Sequence, residues 1–161
     1  MCPDKEKARM LEIFISYAHE DETYRKELTT MLAGIQRQGL IDVWHDREIS
    51  EGDEWLKEIE NAMNQCDLAL LLVSKYFIDS RFIQGKEVPR LLERRKMEGL
   101  QVVPIILDYC MWDSEPVLSG LQAMPIDAKP IVSFPMENGE RSRVLREIGK
   151  AIEKRAKEKR E

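Results

Sequence analysis

The chain has 161 residues, 43% hydrophobic and 34% charged, so it is long enough for one folded domain and too apolar for a disordered protein. Its net charge of -5 argues against nucleic-acid binding, and no apolar run reaches the roughly 18 to 20 residues of a membrane span. Its three cysteines lack CxxC spacing, which argues against a disulfide framework or zinc site and favours a reducing, cytoplasmic compartment.

Short apolar segments alternate along the chain with longer segments whose apolar residues recur at helical spacing. The run DLALLLVS is continuously apolar, which is typical of a strand that is covered on both faces. Pro104 indicates a strand end, a bulge or an edge position in the fourth strand. In chain order we predict strand 11–17, helix 20–38, strand 40–44, helix 55–65, strand 67–74, helix 91–97, strand 100–107, strand 129–134 and helix 141–156.

This order predicts an α/β fold of the flavodoxin-like three-layer type, with a five-stranded parallel sheet and helices on both faces. We expect a flexible segment at 1–10, one domain at 11–152, and a charged tail at 153–161 that is either a fraying helix end or a lead into a further domain. Open sheets of this kind bind ligands beyond the carboxyl ends of their strands. We therefore expect functional residues at those ends.

Several nucleotide and metal motifs are missing from the sequence. No GxGxxG follows the first predicted strand and no GxxxxGK[ST] occurs, which argues against Rossmann and P-loop sites. With two histidines and no HExxH, the chain offers little for a metal site or a Ser-His-Asp triad, so we expect no metal and no cofactor. A receiver domain would need an aspartate after the third strand, where this chain has Ser74.

The stretch DSRFIQGKEVPR, residues 79–90, places a proline two residues after Glu87 in a region otherwise patterned as helix. Proline suits the first turn of a helix and disrupts its interior. We therefore predict that a helix begins at about Val88 and that Glu87 lies at its N-terminal end, where the helix dipole stabilises an anion. Judged by spacing alone, Glu87 is an ordinary solvated or capping carboxylate.

Four stretches in order resemble the Toll/interleukin receptor (TIR) domain, in particular its prokaryotic, NAD-cleaving branch. They are IFISYAHEDETYRKELTTML, then GLIDVWHDREISEGDEW, then LALLLVSKYF continued through Glu87, and finally VVPIILDYCMW with LQAMPIDAKPI. The resemblance extends over nearly the whole chain. It implies either an enzyme or an adaptor that assembles through surface loops.

For the enzyme, the resemblance implies an NAD+ hydrolase that cleaves the nicotinamide–ribose bond, with NAD+ as the substrate and Glu87 as the catalytic residue. Many family enzymes have a tryptophan four residues before this glutamate, where the present chain has Ile83. Phe82 or Trp55 can replace that aromatic ring, and the sequence does not choose between them. The candidate substrate-binding residues are Ser16, Tyr17, Asp46, Trp55, Phe82 and Ile83.

The loop HDREISEGDE, residues 45–54, is implied to connect neighbouring TIR domains, with Arg47 and Gly52 as its candidate self-association residues. Gly52 permits tight or left-handed backbone. We expect a homo-oligomer or filament on activation, a role in prokaryotic antiviral defence, and no nucleic-acid or membrane partner. The alternatives are a non-catalytic TIR interaction or signalling module and a related transferase that acts on nucleotides other than NAD.

Overall fold

The computed structural model describes residues 10–45 and 53–160. Within these ranges four strands form one parallel sheet in the order β2-β1-β3-β4. The parallel α/β architecture is confirmed, although the sheet has four strands instead of the predicted five. The strands are β1 at Leu11–Ser16, β2 at Ile41–His45, β3 at Leu68–Val73 and β4 at Gln101–Ile106.

The connections between the strands are mostly helical. Short 3-10 helices lie at His19–Asp21, Trp112–Ser114, Ile126–Ala128, Ile131–Ser133 and Glu137–Gly139, and a π-helix lies at Ile83–Glu87. The α-helices are α1 at Glu22–Arg37, α2 at Asp53–Gln65, α3 at Lys75–Asp79, α4 at Val88–Glu98, α5 at Pro116–Ser119 and α6 at Glu140–Arg160. The predicted long helices are therefore present.

Both faces of the sheet are covered, and every residue of β3 is buried. Side chains alternate between the faces along each strand, so neighbouring residues enter different layers. The first cluster lies between the sheet and helices α1 and α6, and includes Ile13, Ile15, Leu68, Leu70, Leu72, Leu28, Leu32, Ile148 and Ile152. The second cluster lies between the sheet and helices α2 and α4, and includes Phe14, Ala69, Leu71, Val73, Ile59, Met63, Ile83 and Leu91.

The predicted fifth strand at 129–134 is wrong, because this segment forms a 3-10 turn beside the end of β4. The Val132 N–H donates to the Leu107 carbonyl at 3.0 Å, which ties the segment to the sheet edge. Pro130 lies inside the predicted strand and Pro135 follows it, and neither has an N–H group for a ladder of hydrogen bonds. Because of the two prolines, the segment forms a 3-10 turn that contacts the edge of the sheet through Val132 and does not form a fifth strand.

Helix α6 extends beyond the predicted domain end at residue 152. Its Ala156 is fully buried in the first cluster. The Lys159 ammonium donates to Asp67 Oδ2 and to the Met10 carbonyl, each at 2.7 Å. Residues 153–160, predicted as a charged tail, thus continue the helix and contact the amino-terminal edge of the sheet.

Candidate functional site

Four polar residues are buried within the part of the chain that the structure describes, each with 4% or less of its surface exposed. One of them ends β1, one follows β3, one lies in the 3-10 turn after β1, and one is the last residue of the π-helix. We call this group the polar edge; it consists of Ser16, Asp21, Ser74 and Glu87. It lies at the carboxyl side of the sheet, where open parallel sheets bind ligands.

Ser16 and Glu87 meet across the second cluster. Ser16 follows Phe14 by two residues along β1 and pairs with Leu71 of β3, so its side chain points to the face that α4 covers. The Ser16 hydroxyl donates to Glu87 Oε2 at 3.4 Å. This separation exceeds the usual range of about 2.5 to 3.0 Å for a hydroxyl donor, so the contact is loose.

The helical segment that carries Glu87 begins earlier than predicted. The Ser80 hydroxyl accepts from the Ile83 N–H at 3.3 Å, which caps the start of the helix. The Val88 N–H donates to the Ile83 carbonyl five residues back, which is the π pattern. Helix α4 does begin at Val88, but Glu87 has helical backbone angles and lies inside a continuous helical segment. Glu87 therefore does lie at the start of α4, as predicted, but this start is not a free N-terminus, because the π-helix continues the helical segment before it.

Pro89 explains why the helix widens just before α4. In a regular α-helix its ring would clash with the carbonyl of Gly85, four residues earlier, and its missing N–H would leave that carbonyl without a donor. The π-helix ends at Glu87, two residues before the proline. Single π turns inside helices are frequent at functional sites. The break is thus arranged around Glu87, by a wider turn instead of a new helix start.

The second pair of the polar edge is Asp21 and Ser74. The Ser74 hydroxyl donates to Asp21 Oδ2, and its oxygen also accepts from the Phe77 N–H at 3.2 Å, capping α3. Burial raises the pKa of the Asp21 carboxyl, the Ser74 hydrogen bond opposes this, and the nearby charges of Glu20 and Asp108 raise it further. Sequence reasoning missed this pair, although Ser74 ends the third predicted strand and Asp21 lies at the start of the helix predicted after the first strand.

Tyr17 lies in the other layer of the molecule. It follows Ser16 directly, so strand alternation turns its ring into the first cluster. Its hydroxyl donates to Glu22 Oε2 at 2.8 Å, and the Arg25 guanidinium lies 5.9 Å from its ring centre. The structure therefore does not bring Tyr17 to the face that holds Ser16 and Glu87.

The candidate aromatic positions divide clearly. Ile83 is buried in the second cluster, as a core residue. Phe82 is half-buried and lines a groove of about 300 Å³ together with Leu56, Lys86 and Arg90. Phe82 therefore offers an accessible ring near the π turn, whereas Ile83 does not.

The remaining predicted residues fall mostly outside the structural description. Asp46, Arg47 and Gly52 lie outside the described residues, as does the side chain of Trp55. Trp44, the fourth residue of β2, is half-buried and stacks on Phe14 with ring centres 5.2 Å apart. Among the described residues, no group of three His, Cys, Asp or Glu is placed to hold a metal, and none of the helices is apolar and long enough to cross a bilayer.

Comparison with known proteins identifies the family. Residues 13–156 match the model of the TIR domain, which is most of the chain. A protein described as "Uncharacterized protein y4lF", from Sinorhizobium fredii (strain NBRC 101917 / NGR234), is 40% identical over 126 residues. The aligned region covers 78% of this chain and 39% of that relative, so the chain spans well under half of the relative's length. The chain belongs to the TIR domain family.

Proposed function

We propose that this TIR domain is an NAD+ hydrolase, which releases nicotinamide together with ADP-ribose or a cyclic form of ADP-ribose. One observation carries the proposal: the carboxylate of Glu87 is buried on a π turn beside Ser16, at the carboxyl side of the sheet, where open parallel sheets generally bind ligands. Family membership supports it, because the TIR family includes enzymes that cleave NAD.

A single carboxylate is sufficient for this reaction. Most glycoside hydrolases need a carboxylic acid to protonate the leaving oxygen and a second carboxylate as base or nucleophile. The nicotinamide of NAD+ is already cationic and leaves as a neutral molecule, so no acid has to protonate it. What the enzyme must supply is a negative charge near the oxocarbenium-like ribose and a firm hold on the substrate.

In this proposal each side chain has a definite task. Glu87 provides the negative charge and contacts the ribose, while the hydroxyl of Ser16 lies beside its carboxylate and can donate to it when the site tightens around the substrate. Phe82 supplies an aromatic surface for a base, because its ring is partly accessible. Asp46 and Trp55 remain proposed substrate contacts on the strength of the family resemblance alone.

The burial of Glu87 implies a resting state. With 1% of its surface exposed, its carboxylate is out of reach of a dinucleotide. The proposal therefore includes activation by self-association, through the loop that contains Arg47 and Gly52, to open the polar edge. We further propose a cytoplasmic role in prokaryotic antiviral defence, which the prokaryotic resemblance and the free thiols of Cys66 and Cys110 support.

The same burial also favours a second candidate function. A non-catalytic TIR interaction module needs no accessible carboxylate. It also needs no tryptophan at the position where this chain has the buried Ile83. In that case Glu87 would be a buried structural residue, held by Ser16. The two functions differ in one measurable quantity, the release of nicotinamide.

The test compares the parent protein with Glu87→Gln at high concentration and with a crowding agent that promotes assembly. We expect nicotinamide release by the parent, and a loss of about 100-fold or more in the variant, because the charge at the ribose is removed. The matched control is Glu93→Gln, which removes an exposed charge from α4. If the assembled parent releases no nicotinamide, the interaction module is the better proposal.

A further inference from the structure

We propose that Asp21 is a positioning residue that holds Glu87 in place through a chain of hydrogen bonds. The chain passes from the Asp21 carboxylate to Ser74, from Ser74 to Phe77, and from Phe77 to Gln84 in the π-helix. The inference rests on the proposed function, since it assigns the residue that places the catalytic carboxylate. Its structural part can be tested separately.

The first link fixes the direction of a hydroxyl group. A serine hydroxyl has one proton to donate and lone pairs that accept. The Ser74 proton goes to Asp21, so a lone pair of the same oxygen accepts from the Phe77 N–H at 3.2 Å. All three residues are buried, with no more than 4% of their surface exposed. Asp21 thereby orients the group that starts helix α3.

The second link connects α3 to the π turn. The Phe77 carbonyl accepts from the side-chain amide of Gln84 at 3.0 Å and from the Ser80 N–H at 3.3 Å. Gln84 is the second residue of the π-helix, and Glu87 is its last. Phe77 is fully buried in the second cluster, so its backbone is a fixed anchor for both bonds. A displacement at the start of α3 is therefore transmitted to the turn that carries Glu87.

Burying the ionised carboxylate of Asp21 destabilises the folded protein, which indicates that this residue has a function other than stability. A buried carboxylate loses its hydration, and Glu20 and Asp108 add negative charge nearby instead of compensating it. Capping α3 does not by itself require a negative charge, because a neutral acceptor for the Ser74 proton would leave the same lone pair for the Phe77 N–H. What the carboxylate adds is a fixed orientation of the Ser74 hydroxyl, which the positioning role uses.

The kinetic test uses Asp21→Ala, Asp21→Asn and Gln84→Ala in the full chain under assembling conditions. We expect Asp21→Ala and Gln84→Ala each to lower kcat about tenfold or more with KM changed less than about threefold, since the catalytic group is displaced and substrate contacts remain. Asp21→Asn keeps an oxygen that accepts from Ser74, so we expect it to retain kcat within about threefold. The matched control, Glu20→Gln, removes a neighbouring exposed charge and should retain parental kcat.

A double variant separates a chain from two independent effects. Residues in one network are non-additive, so Asp21→Ala combined with Gln84→Ala should be no slower than the slower single variant. If the two losses multiply, or if Gln84→Ala retains parental kcat, the positioning role is overturned. If Asp21→Ala does not fold, Gln84→Ala still tests the positioning role, because it removes only the hydrogen bond from Gln84 to the Phe77 carbonyl.

A second readout is independent of catalysis. Backbone amide hydrogen exchange at residues 83–88 should be about tenfold faster in Asp21→Ala than in the parent, and unchanged in Glu20→Gln, because the π turn loses its anchor. Unchanged exchange in Asp21→Ala would overturn the positioning role, whether or not the protein cleaves NAD+. A parent that releases no nicotinamide but shows this faster exchange would instead refute the proposed function and leave the chain of bonds supported.

Discussion

At the residue scale, the proline spacing predicted that Glu87 lies beside the start of α4, but its surroundings depend on the tertiary fold. Strand alternation alone separates Ser16 from Tyr17, because adjacent strand residues face opposite layers. The Asp21–Ser74 pair joins residues 53 positions apart. The spacing of residues within one segment cannot predict such a contact, because it forms only when β1 and β3 are neighbours in the sheet. This is why the pair escaped prediction.

The buried carboxyl of Asp21 should also make the free energy of unfolding depend on pH. Burial raises its pKa in the folded protein above the ordinary value of 3.8, so ionisation of Asp21 lowers the free energy of unfolding as the pH rises from there towards neutrality. Asp21→Asn removes that penalty. The Tm of the variant relative to the parent should therefore be higher at pH 7 than at pH 4, by about 2–4 °C for each kcal/mol removed. Glu93→Gln is the control, because Glu93 is exposed and is not among the charges that act on the Asp21 carboxyl. An equal Tm difference at both pH values would contradict the expectation.

At the element scale, hydrophobic periodicity predicted the long helices and the four observed strands to within a few residues. The errors arose at prolines. Pro130 and Pro135 convert an apolar segment into a 3-10 turn, because an apolar pattern does not report missing N–H donors. Pro89 indicated a helix start, and the chain instead forms a π turn, which keeps the helix continuous.

Replacing Pro89 tests whether the π turn serves the site. Pro89→Ala restores an N–H and removes the clash, so the segment can become a regular α-helix and rotate Glu87. The gain in helix propensity, up to about 3 kcal/mol, exceeds the cost of about 0.4–1 kcal/mol from greater freedom of the unfolded chain, so we expect the Tm not to fall. We expect nicotinamide release to fall about tenfold or more, as misplacement of a catalytic group does. Pro116→Ala in α5 is the control, and parental activity in Pro89→Ala would show that the turn is dispensable.

At the scale of the whole molecule, fold and family were predictable because the strand order, the apolar runs and the four resembling stretches extend along the entire domain. The accessibility of the site was not predictable. A sequence places Glu87 near the sheet edge, but burial to 1% results from the packing of several elements around it. The proposed catalytic group therefore lies in a closed arrangement, and this is why the proposed hydrolase includes opening by assembly.

If assembly opens the polar edge, activity must depend on protein concentration. The fraction of competent sites sets the apparent activity, so nicotinamide release per domain should rise about tenfold or more between a dilute monomer and a concentrated, crowded sample. Light scattering on the same samples reports the assembly. Arg47→Ala, in the predicted contact loop, should move the rise to higher concentration, while Glu87→Gln should stay inactive throughout. Equal turnover per domain in a strictly monomeric sample would show that Glu87 becomes accessible without a neighbour, by motion within a single domain.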